Sequence, residues 1–239
     1  MNKNSLLYAF GAILLGVVSI YFGDFAKQWQ SVPAALPRGP LVWLSGALLV
    51  AGGCALLTRR WERAGALFFL LFYGFWTVVF HGIEVAGDPG VLIRWNGVAE
   101  IGFMTCGAMA LYASTGPRGA EALRRWARLL AGSFALMFGA VHFHYLDGTA
   151  GFVPAWIPPS PLFWACATGA GYIAAGLALL SGVQARLAAT LTAFMMACFV
   201  LLLHVPRVIG SPDQHVEWIM LAISSSLTGA AWLVRKYAT

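Results

Sequence analysis

The sequence predicts an all-α membrane protein whose eight transmembrane helices form two parallel four-helix repeats of the same topology. Its residues are 60 % hydrophobic and only 10 % charged, whereas roughly a quarter of the residues in a soluble domain are charged. Eight apolar runs have about the length that crosses a bilayer. The second half also repeats residues of the first at a nearly constant spacing, as in membrane proteins built by duplication.

The eight predicted spans fall into two groups of four. A spanning helix needs about 20 mostly apolar residues. The runs of this kind are 5–24, 41–58, 64–83, 93–114, 127–146, 162–181, 185–205 and 216–235. The ten tryptophans fit this interpretation, because indole rings anchor helices at both surfaces of a bilayer.

A proline-rich corner joins the first two helices of each group. The stretches are VPAALPRGPLVW at 32–43 and VPAWIPPSPLFW at 153–164, and they are offset by 121 residues. Proline fixes φ and restricts the residue before it, so neither stretch can form a helix interior. We therefore predict a stiff turn at the same place in both repeats.

The repeat continues beyond the corners at an offset of 123 residues. His81 then corresponds to His204, and Trp95 corresponds to Trp218. We predict a first repeat at 1–114, a cytoplasmic linker at 115–126 and a second repeat at 127–239. Because each repeat has an even number of helices, both copies enter the membrane the same way up.

The basic residues predict the orientation. Eleven Lys and Arg residues lie on the side that holds both termini, and four lie on the other side. Cytoplasmic loops carry the excess of positive charge, so we predict N-in/C-in topology in the cytoplasmic (inner) membrane. The net charge of +6 does not indicate nucleic-acid binding, because the basic residues form short clusters between apolar runs. The predicted partner is the lipid bilayer.

Glu100 is the candidate site residue that packing alone explains least well. It lies inside the fourth predicted helix, and its counterpart in the second repeat is Ile223. A carboxylate in hydrocarbon costs several kcal/mol unless it is paired, wet or protonated. Two interpretations follow: an acid that handles protons or binds a ligand, or a protonated or Arg94-paired acid that orders the helices.

All five histidines fall near the outward face of the predicted bundle. His81 and His204 are equivalent in the two repeats, which favours a shared structural role at helix ends. Such a pair can also hold a metal or a haem between bundles. His142 and His144 occur in the second repeat only, which fits a site better than a scaffold. A metal ion would draw on His142, His144 and His204.

Arg207 and Glu84 occupy equivalent positions and carry opposite charges. An Arg just outside a helix end either anchors to lipid headgroups or contacts an anion or a quinone carbonyl. If the two repeats face each other, the Arg207 and Glu84 side chains are predicted to pair across the pseudo-twofold axis.

The second half resembles DoxX-like membrane proteins, which are four-helix units. The matching positions lie in the proline corner, in the helix after it and at the start of the next helix: Val153, Pro154, Trp156, Pro158, Thr168, Gly169, Gly176, Leu177, Arg186, Ala188 and Ala189. The resemblance covers about 126–235, and 5–114 is a weaker copy. It implies links to membrane redox and thiol chemistry, since family members include a subunit of an archaeal thiosulfate:quinone oxidoreductase. It carries over no catalytic residues.

Three functions are compatible with these observations. The first is a redox accessory subunit that works with other membrane redox subunits and binds a quinone or another lipophilic ligand. Its outward cavity would be lined by His81, Glu100, His142, His144 and His204. The second is a non-enzymatic assembly partner or a carrier of lipid or cargo, and the third is a haem- or metal-binding protein. Whether the protein is an enzyme stays open, because the sequence contains no recognised catalytic motif.

Overall fold

The computed structural model describes residues 4–26, 29–33, 35–116 and 120–237. Helices account for the regular structure of these residues, and the described part contains no strand, as predicted. The helices are α1 (Leu6–Phe22), α2 (Arg38–Leu57), α3 (Glu62–Gly87), α4 (Leu92–Ser114), α5 (Glu121–His144), the short α6 (Leu146–Phe152), α7 (Pro161–Ser181), α8 (Ala185–Gly210) and α9 (His215–Tyr237).

The proline corners lie outside helix interiors, as predicted. α2 begins at Arg38, so Pro40 falls in its first turn, and α7 begins at Pro161. A proline is tolerated there because the first backbone N–H groups of a helix have no partner within it. The Ser160 hydroxyl caps α7 by accepting from the Phe163 N–H at 3.2 Å. The following corner is turned by Gly182, whose φ of 80° is left-handed.

α3 and α8 share a departure from regular α-helix that the sequence did not indicate. Each contains a π-helical segment, Trp76–His81 in α3 and Val200–His204 in α8. Both segments end at the equivalent histidines. Pro206 follows the second segment, but Ile83 stands at the equivalent place in α3, so proline is not the shared cause. Such segments shift the side chains beyond them relative to a regular α-helix.

The two halves interlock through α4 and α9. Neighbours in sequence pack in the order α1–α2–α3–α4 and α5–α7–α8–α9. The fourth helix of each half also packs on the first and fourth helices of the other half: α9 contacts α1 and α4, and α4 contacts α5 and α9. As a result, 72 % of the apolar window of α9 is buried within the protein, against 28–33 % in the other candidate spans.

Small residues allow α9 to approach its neighbours closely. A Cβ added at Gly229 would lie 2.5 Å from the Tyr8 Cα in α1, and one added at Gly107 of α4 would lie 2.6 Å from the Ala230 Cα. Contacts of this kind are typical of helices that pack within membranes. The Tyr8 hydroxyl also donates to the Met104 carbonyl at 2.8 Å, which joins α1 to α4.

Six helices of the described residues are long and apolar enough to cross a membrane, namely α2, α3, α5, α7, α8 and α9. The protein is therefore an integral, multi-pass membrane protein. α1 is apolar but has 17 residues, and α4 does not reach the same apolarity because it carries Arg94, Asn96 and Glu100. α5 begins at Glu121, so the stretch 121–126, predicted as linker, forms its first turns.

Candidate functional site

A cavity of about 390 Å³ lies where the end of α3 meets the beginning of α4. Apolar and polar side chains line it together. Its lining residues are Ile83, Glu84, Gly87, Ile93, Arg94, Asn96, Gly97 and Glu100. The volume is within the range of small-molecule pockets, roughly 300–1,000 Å³, and such pockets combine apolar walls with a few placed polar groups.

Glu100 is held from two sides at the wall of this cavity. The indole Nε1 of Trp29 donates to Glu100 Oε2 at 2.5 Å, and the Asn96 side chain, one turn earlier on α4, bonds the same carboxyl. Trp29 is only 4 % exposed, so its ring is fixed by packing. No ion pair joins Glu100 to Arg94 among the described residues, which removes the predicted Arg94 pairing as the reason for this acid.

His81 does not line the cavity, but it is fully buried and lies against two of its lining residues, Glu84 and Gly97. Its Nε2 lies 3.3 Å from the Trp29 carbonyl oxygen, and its Nδ1 lies 3.3 Å from Glu84 Oε2. A carbonyl accepts only, so both bonds form together only when the ring carries two protons or Glu84 carries one. Gly97 makes room for the ring, since a Cβ there would lie 2.7 Å from Nδ1.

Arg94 keeps donors available at the cavity. Its Nη1 donates to the backbone carbonyl of Glu84 at 3.0 Å, whereas the Glu84 carboxylate lies beside His81. A guanidinium has five N–H donors, and one hydrogen bond of Arg94 to described residues is present. The cavity is thus lined by a cation with unused donors and by two acids.

The other predicted site histidines do not line the cavity. His142 Nδ1 lies 2.7 Å from the Phe138 carbonyl in its own helix, and the ring meets Tyr172 edge-on at 5.1 Å. His144 is exposed and packs against Tyr145 at 4.6 Å. His204 belongs to the second half, in α8. In the described part of the chain, no three His, Cys, Asp or Glu side chains come together as a metal site.

The predicted pair between Glu84 and Arg207 is wrong. Arg207 Nε and Nη2 instead donate to the two carboxylate oxygens of Glu217, each at 2.8 Å, and Arg207 also lies over the Phe152 ring at 5.3 Å. The prediction assumed that equivalent positions meet at a symmetry axis. In the structure each residue finds its partner within its own half.

The sequence analysis missed two residues of the site and considered a third only in another role. Asn96 carried a signal, because it stands four residues before Glu100, and side chains at that spacing meet on one helix face. Arg94 was considered only as a partner of Glu100. Trp29 carried no signal, since it lies outside the helices and reaches Glu100 from 71 residues away in sequence.

The fold and this polar cavity define a multi-pass helical membrane protein with a candidate ligand pocket. The sequence model of the DoxX family matches residues 125–205, so the second half of the chain is similar to that family, as the resemblance predicted. The match runs from the first turns of α5 to the end of the π-helical segment of α8. No curated protein and no solved structure shows significant similarity to the chain.

Proposed function

We propose that the protein binds a quinone, or another lipophilic molecule with a hydrogen-bonding head group, in the cavity beside Glu100. The observation that carries this proposal is a carboxyl held by Trp29 and Asn96 at the wall of a cavity of about 390 Å³. An acid inside a membrane helix normally faces the bundle interior or a cavity and marks a functional site.

The lining chemistry fits such a head group. Arg94 offers donors to a carbonyl oxygen, and Glu100 accepts from a hydroxyl or, when protonated, donates to a carbonyl. Ile83 and Ile93 provide apolar wall for a ring. Glu100 is also the group that can exchange a proton with a bound head group, with His81 and Glu84 as the nearby titratable pair.

The architecture completes the proposal. All eight long helices cross the cytoplasmic membrane as two four-helix repeats, with both termini in the cytoplasm, and α4 packs against α3, α5 and α9. The equivalent π-helical segments and the shared contacts of Trp95 and Trp218 support the repeat. The chain supplies binding and proton exchange, and electron transfer belongs to a partner redox subunit of the membrane.

Binding of decylubiquinone to the purified full chain tests the proposal. Isothermal titration in neutral detergent should give saturable binding to the wild type and at least tenfold weaker binding to Glu100→Gln. Glutamine keeps an acceptor for the Trp29 indole but cannot ionise, so the variant isolates the acid from the packing. Arg94→Gln should weaken binding by about five- to tenfold, since it removes one charge-assisted hydrogen bond.

Asp213→Asn is the matched control, because Asp213 is an exposed acid of the second half. It should bind decylubiquinone as the wild type does. Equal affinity of Glu100→Gln and the wild type would assign quinone binding to another place. Absence of saturable binding to the wild type would reject the proposal and favour a non-enzymatic assembly partner.

A further inference from the structure

The first two turns of α5 carry a basic surface far from Glu100 in sequence. A cavity of about 800 Å³ opens there, lined by Glu121, Ala122, Arg124, Arg125, Trp126, Arg128 and Leu129. Three arginines against one glutamate make the lining positively charged.

Two of the three arginines have structural partners. Arg128 donates to the carbonyls of Leu179 and Leu180 at the end of α7. Arg124 Nη1 lies 3.5 Å from the Ala113 carbonyl at the end of α4, and its Nη2 lies 3.8 Å from Glu121. Cations at helix C-termini satisfy the last carbonyls. These contacts hold both guanidinium groups in place and leave further donors on each.

Arg125 differs from these two arginines. It is exposed, and within the described ranges its side chain makes no hydrogen bond or ion pair. It lies beside Trp126, which is 58 % exposed. An exposed indole at the end of a membrane helix is typical of the headgroup level of a bilayer. Within the described part of the chain, Arg125 is thus a cation without a hydrogen-bond or ion-pair partner next to an exposed indole.

One of the three arginines has no basic counterpart in the first half. At the offset of 121, Leu7 of α1 stands where α5 has Arg128. Arg128 is therefore not required to build a first helix of this kind, since α1 forms with a leucine there.

We infer that this cavity binds a phosphate group, such as that of an anionic phospholipid, between Arg124, Arg125 and Arg128, with Trp126 against the glycerol region. Guanidinium groups bind phosphate through paired, charge-assisted hydrogen bonds. Each basic residue near an anionic membrane surface contributes an attraction that corresponds to about fivefold in affinity. The site is independent of the Glu100 cavity and does not rest on the proposed function.

Native mass spectrometry of the delipidated full chain in neutral detergent measures this binding. The probes are phosphatidylglycerol and phosphatidylcholine with the same acyl chains. The first phosphatidylglycerol should bind at least fivefold more tightly than phosphatidylcholine. Arg125→Gln should weaken the first phosphatidylglycerol by about fivefold and leave phosphatidylcholine unchanged. Glu121→Gln should strengthen phosphatidylglycerol binding about twofold or more, because it removes the one acid among the described lining residues.

Arg186→Gln is the matched control. It removes one exposed positive charge in the first turn of α8, which follows the end of α7 that Arg128 contacts, and should bind phosphatidylglycerol within twofold of the wild type. Inorganic phosphate at about 20 mM then identifies the source of the phosphate group. If it displaces phosphatidylglycerol, the site also takes free phosphate, and if it does not, the site requires the lipid.

Three results would overturn the inference. They are equal affinity for the two lipids, equal losses in Arg125→Gln and Arg186→Gln, and weaker phosphatidylglycerol binding in Glu121→Gln. Thermal melting of Arg125→Gln should match the wild type, since its side chain is exposed and makes no hydrogen bond or ion pair with a described residue. A loss of lipid binding with unchanged melting therefore reports the site and not the fold.

Discussion

In the first half Arg94 donates to the backbone carbonyl of Glu84, whereas in the second half Arg207 grips both carboxylate oxygens of Glu217 at 2.8 Å. At the offset of 123, Glu84 corresponds to Arg207 and Arg94 corresponds to Glu217. The two halves thus place the same two charges at the same two positions in reversed order. Only the second half closes them into a bidentate ion pair.

A tryptophan next to each pair makes the same kind of hydrogen bond. Trp95 donates to the Pro89 carbonyl at 3.0 Å and Trp218 to the Pro212 carbonyl at 2.8 Å. The linings differ: the residues Asn96, Gly97 and Glu100 of the first half correspond to Ile219, Met220 and Ile223 of the second. Ile219 and Ile223 are buried core residues. The comparison teaches that corresponding positions hold a bidentate ion pair beside buried isoleucines in the second half and a cavity with Asn96 and Glu100 in its lining in the first half.

The largest expected effect on stability comes from a substitution at the contact between α1 and α9. Gly229→Ala should lower the free energy of unfolding by about 3 kcal/mol, because its Cβ would meet the Tyr8 backbone, which cannot move without separating α1 from α9. Equilibrium unfolding in SDS-containing mixed micelles measures it. Gly82→Ala is the control, since nothing lies within 4 Å of its Cβ, and it should stabilise α3 by about 0.5–1 kcal/mol. Equal values for the two variants would mean that α1 and α9 do not pack this closely.

The closed pair of the second half is the next test. Arg207→Ala should lower the free energy of unfolding by about 2 kcal/mol, because it leaves Glu217, which is 8 % exposed, without its ion-pair partner. The exposure of the Arg207 side chain, 38 %, keeps the cost below that of a fully buried pair. Arg94→Ala should lower the free energy of unfolding by less than about 1 kcal/mol, since among the described residues Arg94 bonds a backbone carbonyl and no acid.

Reversing the second pair sharpens this result. The double variant Arg207→Glu with Glu217→Arg reproduces the charge order of the first half and should recover most of the lost free energy of unfolding. Each single reversal should be less stable than both the wild type and the double variant. If the double variant is no better than the single reversals, the pair is not held by mutual attraction, and the likeness between the halves would not extend to this contact.

A smaller loss is expected in the open cavity of the first half. Gly97→Ala should cost about 1–2 kcal/mol, because its Cβ would push the His81 ring away from Trp29 and Glu84. Gly87→Ala lines the same cavity, where its Cβ would lie an ordinary 3.7 Å from Arg94, and should change stability by less than about 0.5 kcal/mol. Thermal melting compares the stabilities of the two variants. An unchanged melting temperature for Gly97→Ala would contradict the close packing of His81 against Gly97.

The smallest effect concerns the loop after α1. Burial alone would raise the pKa of the Asp24 carboxyl, but hydrogen bonds from Arg38 and the Phe25 N–H and the Arg38 charge hold it below its usual value. A lowered pKa means that the stabilisation is present above the ordinary carboxyl pKa and is lost as the pH falls through the folded value. Both side chains are about half exposed, 44 % and 45 %, so the pair contributes roughly 0.5 kcal/mol. The stability difference between the wild type and Asp24→Asn should shrink as the pH falls from about 6 to about 3, and a constant difference would argue against the ion pair.

The helices and corners of this protein followed from local rules. The apolar runs predicted α7 at 162–181 against the observed Pro161–Ser181, and proline chemistry placed both corners correctly. The π-helical segments carried no such signal, because they differ from an α-helix by single hydrogen bonds that packing selects. Six spans are confirmed by length and composition. α4 is not among them, and it carries Arg94, Asn96 and Glu100.

The sequence alone does not determine which distant residues become hydrogen-bond or packing partners. Apolar length and proline act within a few residues, so they define helices, turns and the existence of a membrane acid without reference to the rest of the chain. Trp29 meeting Glu100, Arg207 meeting Glu217, and α4 and α9 packing into the opposite halves depend on contacts between distant segments. A buried polar group is satisfied by whichever donor the packing brings near, and several donors were equally compatible with the pattern of residues. Only the assembled helices select one of them.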